Sequence, residues 1–160
     1  MVEKVNPFVL VIIDIKQKDH QHALLKLMND YMLDDMGLNS PLPLELGHRI
    51  IEGLMSQNNY LGFMLKYQGK YIALANCFVG FSTFKAKQLI NIHDFVVAPE
   101  CRNIGAGNAF LDLISNFGIE HNYCKITLEV RHDNPKAQRL YKKKGFEECL
   151  PPMYFWQKDL

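Results

Sequence analysis

The feature that most constrains this chain is the segment Val96 to Gly107, VVAPECRNIGAG, where a β-branched run passes within a few residues into a glycine-bearing helix start. A helix N-terminus offers unpaired amide hydrogens and a partial positive charge, and glycine lets an anion approach the backbone closely. Arg102 adds a cation. Asn103 tolerates positive φ better than most residues and helps to curl such a loop into an anion-binding nest. No Lys-Ser/Thr follows the glycines, so the loop is not a nucleotide P-loop, and the single G-x-G of Gly105 and Gly107 falls short of the three-glycine dinucleotide fingerprint.

The elements around this junction follow from periodicity. Phe8 to Ile15 predicts a first strand, and Asp19 is the expected N-cap of a helix with Leu24, Leu27, Met28 and Tyr31 on one face. Asp34 to Pro43 has the composition of a loop. A second helix is expected over Leu46 to Ser56, then a hairpin of Tyr60 to Tyr67 and Tyr71 to Phe81 about Gln68-Gly69-Lys70. Leu89 to Val97 predicts a strand closed by Pro99, followed by a helix over Gly105 to His121. Lys125 to Arg131 predicts a strand, Pro135 to Lys144 a helix, and Phe146 to Cys149 and Tyr154 to Lys158 two short closing strands. A hairpin-rich half beside an alternating half implies an α/β (α+β) fold, a mixed sheet flanked by helices. At 160 residues a single domain over 1–160 is expected.

Composition removes several function classes. With 18 basic and 17 acidic residues there is no field that implies nucleic acid. The four cysteines, Cys77, Cys101, Cys124 and Cys149, contain no Cys-x-x-Cys and are expected to be free buried thiols. The histidines show no ligand spacing, so no metal is expected. The apolar run at Phe8 to Ile13 is too short to span a bilayer and the N-terminus lacks a leader pattern, which implies no membrane partner and a cytoplasmic location.

The second informative segment, Leu128 to Phe146, reads LEVRHDNPKAQRLYKKKGF: a strand, an Asn turn, a helix, and Gly145 where a helix would end. The pair R-x-x-G-x-G after V-x-P, then N-x-x-A-x-x-L-Y-x-x-x-G-F, resembles motifs A and B of the GNAT acetyltransferases. The likeness covers residues 89 to 160. It implies a GNAT fold with mostly antiparallel, centrally splayed strands, and acetyl-CoA as co-substrate. The backbone of Arg102, Asn103, Ile104, Gly105, Ala106, Gly107 and Asn108 would hold the pyrophosphate, and the pantetheine arm would lie along Phe95, Val96 and Val97 in the gap between two strands. An unpaired strand edge suits the two pantetheine amides. Asn134 would pin its turn or meet the cofactor, and Tyr141 would place its hydroxyl by the sulfur. Asn103 stands where many members carry Gly, and Ala106 where Ile or Val is common; both are small.

Acetyl transfer to an amine poses a proton problem. An alkyl ammonium with pKa about 10.4 is some 3.4 units from its nucleophilic form at pH 7, or roughly 4.6 kcal/mol. A base must take that proton, and an acid must protonate the departing thiolate. The resemblance assigns the acid to Tyr141. For the base, His93 has a suitable natural pKa, Glu129 matches the L-E-V-R of ribosomal-protein N-terminal acetyltransferases, and ordered water is the third option. Strand alternation puts Asn91, His93 and Phe95 on one face, with Ile92 and Asp94 on the other, Asp94 in a structural role.

The resulting expectation is an N-acetyltransferase acting on a primary amine, a small polyamine-like compound first and a protein α-amine or lysine second. The reading from another class is a catalytically silent acetyl-CoA sensor. Asp30, Asp34 and Asp35, beside Tyr31, Met32 and Met36, are expected to attract an acceptor with a second positive charge. A homodimer is consistent with family habit.

Overall fold

The computed structural model describes residues 6–160. They fall into two compact units divided after Glu129. The first carries a sheet in sequence order β1-β2-β3-β4-β5, made of β1 (Phe8–Ile12), β2 (Tyr60–Tyr67), β3 (Lys70–Ser82), β4 (Lys87–Val97) and β5 (Ile126–Leu128). The first four strands run antiparallel, and β5 joins β4 in parallel. The helices α1 (Lys18–Leu33), α2 (Leu44–Ser56) and α3 (Ala106–Glu120) belong to this unit, and α4 (Pro135–Lys143) lies in the second.

Two apolar layers sandwich the sheet. On one face Leu24 and Leu27 of α1 and Ile51 of α2 pack with Ile13, Met64, Leu74, Val96 and Ala98. Leu24 and Leu27 are fully buried, each contributing about 1.5–3 kcal/mol of transfer free energy. On the other face Phe110 of α3 stacks on Phe95 at 5.4 Å between ring centroids, and Phe117 meets Phe63 edge-on at 4.9 Å. The β2–β3 hairpin turns through Gln68 and Gly69, both at positive φ (47° and 78°), the backbone that a two-residue turn between twisted strands requires.

Several boundaries differ from expectation for local reasons. β1 stops at Ile12 because the Asp14 carboxylate accepts the Lys16 amide and its carbonyl accepts from Gln17, turning the chain. α1 is capped at Gln17 and starts at Lys18, so Asp19 sits in the first turn rather than at the N-cap. Among the cysteines only Cys77 is buried; all are free, and Cys149 is exposed. β5 is three residues long instead of the seven expected over Lys125 to Arg131. Neither closing strand forms: Phe146 to Cys149 and Tyr154 to Lys158 lack strand hydrogen bonding, and Tyr154, Phe155 and Trp156 are exposed. Strand-like composition needs a partner ladder before it becomes a strand, and Pro151-Pro152 supply no amide hydrogens.

Candidate active site

Strand β4 creates the first element of the site by losing a neighbour. Its ladder with β3 runs on to Val97, but the pairing with β5 ends at Ile92↔Leu128. Beyond Ile92, β4 continues to Val97 while the ladder with β5 does not. The cause lies in the β3–β4 register, where Asn76 opposes Asp94 and Cys77 opposes Ile92. His93 is the extra residue of a β-bulge, which bends its strand and increases the local twist. At the far end of this edge the Ala98 amide donates to Ile72, so the carbonyl of the same peptide, Val97 O, points away from β3. It accepts from Arg102 Nε at 3.1 Å.

The loop that follows completes the second element. Pro99–Cys101 form a single 3-10 turn, Asn103 has φ 67° and Gly105 φ 86°, and α3 begins at Ala106 with Gly105 as its cap. Among the described residues no side chain caps this helix and no acidic residue occupies its first turn, so no carboxylate there offsets the dipole at its start. Ala106 is buried, Ile104 is exposed, and Asn108 Oδ1 is buried with no hydrogen-bond partner among the described residues. An uncapped helix start, two left-handed residues and an orphaned polar atom fit a phosphate-bearing ligand with further polar groups.

Arg102 has a second partner. Its Nη2 lies 2.8 Å from Asp34 Oδ2 in the loop after α1, and Asp34 Oδ1 accepts the Met36 amide at 2.9 Å. Lys26 pairs with Asp30 at 2.7 Å and with Glu100 at 3.5 Å. A pocket of about 250 Å³ is lined here by Asp30, Leu33, Asp34, Asp35 and Pro99. Two of the three carboxylates expected to attract a doubly charged acceptor are thus already paired with cations of the chain, and only Asp35 is exposed.

The bulge also reverses part of the expected alternation. Ile90 packs beneath Gly118 of α3, and Phe95 stacks on Phe110, so this face carries Ile90, Ile92 and Phe95. Asp94 bonds Asn76 beside Met28 of α1, and His93 meets Phe78 edge-on at 5.9 Å. His93 and Asp94 consequently share the α1 face, where strict alternation had separated them, and Phe95 leaves it. Val96 is in the core. Glu129 is exposed just beyond β5. Sequence reasoning missed Tyr60 and Asn76, which join Asp94 in one hydrogen-bonded chain. A signal existed: Asn76 interrupts the apolar run IALANCFV, and a buried amide in a central strand must find partners.

In the second unit Asn134 caps α4, its Oδ1 accepting the Ala137 amide at 3.1 Å, so its side chain pins the turn. Gly145 has φ 81°, and the Phe146 amide donates to Tyr141 O at 3.0 Å, closing the helix end. The Tyr141 and Phe146 rings meet at 5.8 Å. Among the described residues no group of His, Cys, Asp and Glu is arranged to hold a metal, and no helix is long and apolar enough to cross a membrane.

The sequence model of the acetyltransferase (GNAT) family matches residues 22–146. The chain is a member of the GNAT family. It is 30% identical over 80 residues to an uncharacterised N-acetyltransferase of Bacillus subtilis (strain 168), YhfO, and the match spans about half of each protein, 50% of this chain and 54% of that one. Its fold is shared by a possible acetyltransferase from Clostridium difficile 630, with a TM-score of 0.79 at 16% identity over 97% of this chain and 100% of the other. It is shared too by the aminoglycoside N-acetyltransferase AAC(6')-Iy, solved in complex with CoA, with a TM-score of 0.72 at 14% identity over the whole of both chains. For this GNAT protein the likeness establishes a mixed, mostly antiparallel sheet with helices on it.

Proposed function

We propose that this GNAT protein is an acetyl-CoA-dependent N-acetyltransferase that acetylates a primary amine by direct attack, working as one catalytic domain. The observation that carries the reading is that the β4–β5 ladder ends at Ile92↔Leu128 while β4 itself runs on to Val97 and the chain then passes into the uncapped start of α3. An open strand edge suits a chain of amides, and a helix N-terminus suits a pyrophosphate. CoA in the AAC(6')-Iy structure supports the same assignment by analogy of fold.

In this reading the amides of Arg102 to Asn108 hold the phosphates and the edge at Phe95 to Val97 orients the pantetheine arm. Acetyl-CoA, when bound, supplies an acetyl group activated as a thioester. The protein's own groups handle the protons. His93, exposed on the α1 face, takes the proton of the attacking amine, with Glu129 the competing base. Tyr141, at the L-Y position of the family motif, gives a proton to the departing sulfur. One C–N bond forms, one C–S bond breaks, and the amine proton ends on the base.

Incubation with acetyl-CoA and a panel of primary amines, read as free thiol, tests the activity. At least one amine should raise CoA release well above the hydrolysis blank. Stabilisation by acetyl-CoA with no amine-dependent release would favour a binding module instead. The pH–rate profiles of His93→Ala and Glu129→Gln then identify the base, because the variant lacking it loses the acidic limb. Two intact limbs would leave water as the proton acceptor.

Asp34 is better read through Arg102 than through the acceptor. The pair is partly exposed, with side chains 31% and 22% accessible, so it contributes only about 0–1 kcal/mol to stability. Asp34→Asn releases the guanidinium toward the phosphate site and is expected to lower the acetyl-CoA Kd by about threefold, more at low salt. A changed acceptor KM with constant acetyl-CoA affinity would restore the acidic loop as the acceptor site.

A further inference from the structure

Arg102 ties the loop before α3 to the end of α1. Its Nε donates to Val97 O at 3.1 Å, and its Nη2 lies 2.8 Å from Asp34 Oδ2. The guanidinium thus holds a backbone carbonyl and a carboxylate at once. Lys26 of α1 also reaches Glu100 at 3.5 Å, a second bridge between the same two segments that does not involve Arg102.

Asp34 is the C-cap of α1 and the pivot of the turn that follows. While Oδ2 faces Arg102, Oδ1 accepts the Met36 amide at 2.9 Å. The chain then doubles back on the helix end: the Gly37 amide donates to Asp34 O at 2.8 Å, and the Leu38 and Ser40 amides donate to Met32 O at 2.9 and 3.4 Å. A Cβ on Gly37 would collide with Tyr31 O, so the turn lies this close to the helix only because residue 37 is glycine. The carboxylate that organises this turn is therefore the one that holds Arg102. Phosphate oxygens suit the planar guanidinium fork as well as a carboxylate does, and a partly exposed ion pair holds it weakly.

We propose that Arg102 is an exchangeable latch. Without cofactor it ties Asp34 and the turn of residues 35–40 to the loop before α3; a phosphate-bearing cofactor at the start of α3 takes the guanidinium and loosens that turn. The coupling is reciprocal, so the factor by which loss of the latch tightens cofactor binding equals the factor by which the cofactor opens the latch. The inference rests on the acetyl-CoA reading for the ligand that takes Arg102, and adds to it a contact that regulates cofactor affinity.

Hydrogen exchange of the Met36, Gly37 and Leu38 amides, read by NMR on the full chain, reports the latch without turnover. Asp34→Asn keeps an oxygen for the Met36 amide and loses the charge that holds Arg102. Without ligand it should speed exchange of these amides about threefold, the factor expected for its gain in acetyl-CoA affinity. Saturating CoA should speed them by about the same factor in the native protein and no further in Asp34→Asn. Inorganic pyrophosphate, which brings the phosphates alone, should act in the same direction, and Glu100→Gln, which removes the other bridge, should leave the CoA effect intact. Unchanged exchange in Asp34→Asn overturns the inference. So does CoA that raises the melting temperature without speeding the turn, or a CoA effect abolished equally by Glu100→Gln. Faster exchange in Asp34→Asn and with pyrophosphate, but no rise in melting temperature with CoA, would sink the acetyl-CoA reading and keep the latch.

Discussion

Gly105→Val is expected to abolish the rise in melting temperature that acetyl-CoA produces. Gly105 caps α3 at φ 86°, a left-handed conformation that a β-branched residue adopts only under strain. Nothing lies within 4 Å of a Cβ built there, so the backbone conformation, rather than a clash, decides the outcome. A loop forced out of this conformation re-aims the amides proposed to receive the phosphates. With ligand at about 100 times Kd the native protein gains roughly 2.7 kcal/mol by mass action. For a chain of this size that is about 5–10 °C, easily measured by thermal shift. The variant should show almost none of it, together with a modest loss of its own stability. A full ligand shift in Gly105→Val would remove this loop from the cofactor site.

Tyr141→Phe should lower kcat on the order of a hundredfold while leaving acetyl-CoA affinity unchanged. The substitution deletes one hydroxyl and keeps the ring, so the contact with Phe146 at the end of α4 persists and the helix cap is undisturbed. Loss of turnover with intact binding and melting temperature identifies a proton donor. Loss of stability or cofactor binding alone would make Tyr141 a structural residue, held by the same ring contact.

Much of the framework is local enough to be legible from residues. Leu24 and Leu27, three apart, mark the buried stripe of α1, and both lie in the core. Gly69 announces the hairpin because glycine accepts the positive φ of its tight turn at least cost. Gly105 and Gly145, placed at a helix start and a helix end by sequence, both have positive φ. The conformation of the loop from Arg102 to Asn108 is visible for the same reason: it is built from consecutive residues whose conformational limits are intrinsic.

Relations between distant residues had to wait for tertiary structure. Alternation placed Asp94 opposite His93, and a single bulged residue brought them to one face, an offset that depends on how β3 and β4 register rather than on either strand alone. The acidic loop looked like an acceptor site until Arg102, 68 positions away, was found on Asp34. The closing strands were inferred from composition, yet a strand exists only where another edge accepts its hydrogen bonds. Sequence alone determined the family motifs, the helix and turn punctuation and the left-handed turns at Asn103 and Gly105, because each is set by the conformational preferences of neighbouring residues. The tertiary structure decided the register, the shared face of His93 and Asp94, and the Tyr60–Asn76–Asp94 chain, because these arise where separate segments meet and their geometry is fixed only by packing.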